Sequence, residues 1–226
     1  MKDFVNVGLL GAGTVGGGVL KVLEKNAEKI AKEVGKPVRI TKVLDRHVDR
    51  LKQEYGDKYI FTDNADEVLE DKDIDIIVEL LGREHPANEF IARAFANGKH
   101  VVTANKDVLA KFGAELFPLA HEHNCDFMFE ASVCGGIPII GPLKTSMAAN
   151  QITSIMGIVN GTTNYILTRM VRTGAFFADA LREAQAKGYA EADPTADIEG
   201  IDAGRKTCIL ADLAFGHQVD PDKVPM

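Results

Sequence analysis

The 226-residue chain is poor in cysteine, short of basic charge and without any long apolar run. Its three cysteines, Cys125, Cys134 and Cys208, lie far apart, which leaves neither a CxxC metal pair nor an even disulfide framework. A reducing, cytoplasmic setting is expected. The opening MKDFVNVGLLGAG reaches its glycines after a few apolar residues, and no stretch has the length of a membrane span. No signal peptide, anchor or membrane partner is expected. Lys and Arg number 26 against 33 Asp and Glu, a formal charge of -7 with a pI near 5.4. Nucleic-acid binding is excluded on that ground, since phosphate recognition requires clustered basic residues. What remains, 46% hydrophobic and 26% charged, is the composition of a globular protein of one or two domains with small-molecule partners.

The first 130 or so residues alternate short β-branched runs with longer stretches of helical period, the pattern of parallel strands joined by crossover helices. Strands are expected at 4–10, 38–44, 73–80, 100–105 and 126–132. A helix from about 15 to 34 carries an apolar stripe of Val15, Val19, Val22, Leu23, Ala27, Ile30, Ala31 and Val34, stopped by Gly35 and Pro37. Two further helices follow residues 85 and 106, each leading into a strand. The fold class this predicts is α/β, a Rossmann-type doubly wound parallel sheet over residues 1–133.

Beyond a Gly/Pro-rich junction at GGIPIIGPLK the pattern changes, and residues 134–226 read as an incomplete α+β domain. QITSIMGIVNG (151–161) predicts a strand, with helices at about 163–173, 177–187 and 196–215 and a final loop, HQVDPDKVPM. Some ninety residues make a thin substrate domain, so the chain is expected to be a fragment of a longer protein or to depend on a partner subunit.

GLLGAGTVGGG places Gly11, Gly13 and Gly16 in G-x-G-x-x-G spacing between a predicted strand and helix, with Thr14 and Val15 inside the turn. The three glycines serve a tight turn, close approach of backbone to a pyrophosphate, and close packing of helix on strand. VLDRH ends the second strand. Asp45 suits the 2′-hydroxyl of NAD and Arg46 the 2′-phosphate of NADP, so the two neighbours point to different cofactors.

Several stretches together resemble homoserine dehydrogenase: GLLGAGTVGGGV, VELLG, VVTANKDVLA, FEASVCGGIPII, GIVNGTTNYIL and GYAEADPTADIEGIDAGRK, in family order and over nearly the whole chain. The resemblance implies NAD(P)-dependent reduction of aspartate 4-semialdehyde to L-homoserine, in threonine and methionine biosynthesis, by a homodimer. It also implies a chain longer than this one.

By resemblance, Lys206 matches the family's catalytic lysine and Lys106, in TANK, a second lysine at the active centre that also lies near the cofactor. Read without the family, Lys106 is favoured by its place after an apolar strand. Lys206 by spacing alone is equally an i,i+4 partner of Asp202, worth about 0.3–0.5 kcal/mol. Glu191, Asp197 and Asp202 match the family's acidic substrate positions, suited to an amino acid's ammonium group. In NGTTN, Gly161 and Thr162 are further substrate candidates, with helix capping the competing role. Glu130, Val133, Gly135 and Ile137 resemble a sodium-binding loop, with a domain hinge as the plain alternative. Two other functions stay open: a semialdehyde dehydrogenase using Cys134 as a nucleophile, and a non-catalytic dinucleotide-binding or regulatory module. His85, His100, His121 and His123 form no ligand set, so metal hydrolysis is not expected.

Overall fold

The structure, a computed structural model, describes residues 2–225. The chain divides after Ser132 into two units.

The first unit is built on six parallel strands: β1 (Val5–Leu10), β2 (Val38–Leu44), β3 (Ile60–Thr62), β4 (Ile76–Glu79), β5 (His100–Thr103) and β6 (Phe127–Met128). Their order is β3-β2-β1-β4-β5-β6, so the chain reverses direction across the sheet between β1 and β4. Ligands of such sheets bind outside the carboxyl ends of the strands at that reversal. The crossovers are α1 (Thr14–Lys25), α2 (Ala27–Val34), α3 (Val48–Tyr55), α4 (Asp66–Leu69), α5 (Ala87–Ala96) and α6 (Lys106–Glu122). One side of the core joins Val7, Leu9, Leu20, Val43, Leu51 and Phe61. Removing a side chain such as Leu9 or Leu20 fully from water contributes about 1.5–3 kcal/mol.

Local chemistry altered several sequence expectations here. The helix expected over 15–34 is two, because Asn26 closes α1: its backbone N–H and its side-chain amide both donate to the Val22 carbonyl at 3.0 Å. Asn competes with helical backbone bonding in this way. The apolar stripe shifts as well, for Val15, Val22 and Val34 are exposed while Gly16 and Leu20 are buried. β4 is shorter than the 73–80 expected, and 126–132 splits into β6 and a 3-10 turn, Glu130–Ser132. β3, α3 and α4 are additional to the elements expected from the sequence.

The second unit contains α7 (Ile140–Lys144), α8 (Gly161–Thr173), α9 (Phe177–Ala186), α10 (Thr195–Ile198), α11 (Ile201–Phe215) and a 3-10 turn, Pro221–Lys223, inside the expected terminal loop. Its small core gathers Ile166, Ala180, Ala184 and Ala190. The helix expected over 196–215 is interrupted at Gly200, whose φ of 82° is left-handed and ends one helical segment before the next begins. The strand expected over 151–161 is not formed. Residues 151–160 have no regular structure and supply no strand pairing among the described residues, with Met156 and Ile158 exposed. A strand is stabilised by its neighbour, and apolar periodicity alone does not provide one.

Candidate active site

Gly11 follows β1 with φ 94°, a left-handed turn, and a side chain there would stand 2.8 Å from the Leu80 carbonyl. A Cβ on Gly16 would lie 2.0 Å from the Gly11 carbonyl oxygen, so the helix packs directly on the turn. At Gly13, the N-cap of α1, a Cβ would meet nothing within 4 Å. The first turn of α1 has no side-chain cap and no acidic residue, so its amides are left for an anion. The residues present fit a dinucleotide: one glycine makes the turn, one packs, and one opens space at a helix N-terminus. Thr14 and Val15 begin that helix and are exposed.

Asp45 behaves differently from a simple ribose acceptor. Its Oδ2 accepts the Ala12 N–H and its Oδ1 the His47 N–H, each at 2.9 Å. The carboxylate thus ties the glycine turn to the start of α3. Arg46 Nε donates to His47 Nε2 at 3.1 Å, and a cavity of about 590 Å³ beside it is lined by Arg46, His47, Arg50 and Lys52, among others.

Lys106 is the first residue of α6, and its Nζ lies 3.9 Å from Asp107 Oδ1. A cation in a helix's first turn opposes the helix dipole, so helix stability does not account for a lysine there. Asn105 caps the helix by accepting the Val108 N–H at 3.2 Å.

The second unit brings together residues distant in sequence. Lys206 Nζ donates to Asp202 Oδ2 at 2.6 Å and to the Val159 carbonyl at 2.8 Å. Asn160 Nδ2 donates to Asp197 Oδ1 at 2.7 Å and to Asp202 Oδ2 at 2.9 Å, while Asn160 Oδ1 accepts from Thr163 N and Oγ1 at 2.8 Å. One amide side chain therefore caps α8 and holds both carboxylates. Thr162 Oγ1 donates to the Tyr189 carbonyl at 2.7 Å. Asn160, Gly161, Thr162, Asp197, Asp202 and Lys206, with Tyr165 and Tyr189, line a cavity of about 480 Å³. The two tyrosine rings stand 5.0 Å apart between centroids. Glu191 is not among these lining residues: its side chain is exposed and its carbonyl accepts from Gln185 Nε2 at 3.1 Å.

Asn160 and the two tyrosines were not named as site residues from sequence, although an Asn before GTT is the N-cap signature of a helix. For the expected sodium loop, Val133 is buried, Gly135 and Ile137 are exposed, and the Ile137 N–H closes a turn onto the Cys134 carbonyl at 2.8 Å. Glu130 opens the 3-10 turn of the first unit. A carboxylate and carbonyls are an oxygen donor set suited to a hard cation.

The family model described as homoserine dehydrogenase, NAD binding domain, matches residues 11–130, and the homoserine dehydrogenase model matches 138–226. The chain belongs to the homoserine dehydrogenase family. A homoserine dehydrogenase of Neisseria gonorrhoeae is 51% identical over 94% of this chain and 48% of its own length, and that of Bacillus subtilis 45% identical over 97% and 51%. The crystal structure of a homoserine dehydrogenase from Thiobacillus denitrificans superposes with a TM-score of 0.92 at 48% identity, covering 97% of this chain and 51% of that one. A hyperthermophilic archaeal homoserine dehydrogenase in complex with NADPH gives 0.83 at 30% identity, covering 95% and 71%. The chain spans about half the length of the curated relatives it matches. Because these matches are homoserine dehydrogenases, the thioester-forming role for Cys134 is set aside. Among the described residues no helix is long and apolar enough to cross a membrane.

Proposed function

We propose that this chain is the part of a homoserine dehydrogenase that binds the nicotinamide dinucleotide and the amino-acid substrate, in an enzyme that interconverts aspartate 4-semialdehyde and L-homoserine. The observation that carries the reading is the 480 Å³ cavity in which the Lys206–Asp202 pair, Asp197 and Asn160 are joined by hydrogen bonds. The dinucleotide supplies the hydride. Lys206 has two of its three hydrogens directed to Asp202 and Val159, leaving one for the substrate's carbonyl oxygen, where negative charge develops. Asn160 takes one oxygen of Asp197, and the other accepts from the substrate ammonium. Gly161 and Thr162 border the same cavity, and Glu191 lies outside its lining; on the resemblance, Lys106 at the start of α6 serves as the second active-centre lysine. Glu130, Val133, Gly135 and Ile137 remain the proposed sodium ligands, a structural role with no step in the reaction. The expected assembly is a homodimer in the cytoplasm.

The cofactor reading favours NADPH. Asp45 is engaged by two backbone amides, and Arg46 opens onto a cavity whose wall carries Arg50 and Lys52 together with Asp49, Asp63 and Glu67. Replacing Arg46 with Ala removes a charged partner of the 2′-phosphate, so the NADPH dissociation constant should rise about 10-fold or more. The NADH value should change by less than about twofold. Titrating each nucleotide by its own fluorescence checks this, and equal weakening of both would refute the preference.

The function itself is tested by semialdehyde-dependent oxidation of NADPH or NADH by the full-length protein. Dinucleotide binding with no turnover would select the non-catalytic module instead.

A further inference from the structure

We propose that Glu79 is a positioning residue for Lys106: its buried carboxylate fixes, through the Thr103 hydroxyl, the turn that carries that lysine. The inference rests on the reading of Lys106 as an active-centre group. Glu79 ends β4 at the sheet's reversal point and is fully buried, at 0% exposure. One of its oxygens accepts the Leu81 N–H at 2.7 Å, and the other accepts from Thr103 Oγ1 at 2.6 Å. Thr103 ends β5, and its hydroxyl oxygen accepts the Asn105 N–H at 2.9 Å. Asn105 then caps α6 and donates its side-chain amide to the Arg83 carbonyl at 2.8 Å. Lys106 is the next residue.

One carboxylate thus joins the loop after β4 to the loop after β5. The glycine turn packs on the same segment, since the Leu80 carbonyl is the atom that a side chain at Gly11 would strike. All three loops border the crevice in which such sheets hold ligands. Burial pushes the Glu79 carboxyl up, while hydrogen bonds from Thr103, Leu81 and Asn105 oppose that shift. An apolar residue would occupy the core without this desolvation cost, so the carboxylate's contribution lies in what it holds.

The test uses Glu79→Gln, Thr103→Val and their double variant in the full-length protein. Glu79→Gln keeps the shape but replaces one acceptor by a donor, and Thr103→Val removes the link without touching Glu79. Each single variant should lower kcat by about 10–100-fold, the scale of a displacement near 1 Å in a catalytic group. KM for NADPH should stay within about threefold, because the glycine turn and α1 are intact. The double variant should be no slower than the worse single one, since both substitutions break one chain of bonds. Thr103→Ser, which retains the hydroxyl, should recover most of the loss.

Effects that multiply in the double variant, or lowered thermal stability with unchanged kcat, would overturn the proposal. Should the unsubstituted protein fail to turn over semialdehyde, it is the functional reading that falls. Amide exchange then decides the positioning role: faster exchange at Asn105 in both single variants supports it, and unchanged exchange overturns it.

Discussion

Replacing Lys206 with Ala is expected to lower semialdehyde-dependent NADPH oxidation by more than about 100-fold, the range in which a positioned general acid contributes. The lysine side chain is largely buried, and the same Asp202 oxygen that it contacts at 2.6 Å also accepts from Asn160 at 2.9 Å. Removing Lys206 therefore takes away the proton source yet leaves Asp202 its hydrogen bond from Asn160, so the unit should remain folded. Lys206→Arg separates charge from proton delivery. Arginine retains the cation but does not release its proton near neutral pH. If Lys206 acts as an acid, Arg should be nearly as slow as Ala; if it only polarises the carbonyl, Arg should recover a large part of the rate. Steady-state kcat measured on both variants reads the difference, and turnover near wild type in Lys206→Ala would remove the residue from the mechanism.

Gly16 and Gly13 should respond to the same substitution in opposite ways. Gly16→Ala places a methyl carbon 2.0 Å from the backbone oxygen of Gly11, where no side-chain rotation relieves the contact. The start of α1 must move off the turn, with an expected loss of about 1–3 kcal/mol in stability from overpacking. Because the same movement withdraws the helix amides from the phosphates, dinucleotide binding should weaken by at least about 10-fold. Gly13→Ala meets no protein atom within 4 Å, and its φ of -72° suits alanine. The melting temperature should hardly change, while binding weakens because the added methyl occupies the approach of the pyrophosphate. Thermal unfolding and nucleotide titration on both variants distinguish the two cases. Tight binding by Gly13→Ala would place the phosphates elsewhere.

The parallel sheet and its glycine turn were legible in the sequence because both rest on local chemistry: β-branched runs, helical period, and glycines at fixed spacing before a helix. Helix continuity was less so. Asn26 and Gly200 each interrupt an apolar period that extends across them, one by bonding to Val22 and the other by a left-handed φ of 82°. The run 151–160 has strand-like composition, but a strand also requires a neighbour to pair with.

The candidate site divides along the same line. Family membership, the dinucleotide turn and the types of the acidic and basic residues near the end of the chain were determined by sequence alone. Only the tertiary structure decided which of them meet. Asp197, Asp202 and Lys206 share a cavity because Asn160, about forty residues earlier, bonds to both carboxylates, whereas Glu191 in the same acidic run is exposed. Glu79 shows the same limit more sharply. In VELLG it reads as one charged residue in an apolar strand, and its hold on Thr103 exists only because β4 and β5 are neighbours with Glu79 opposite Thr103. Hydrogen bonds between groups far apart in the chain depend on register and packing, which local periodicity does not encode.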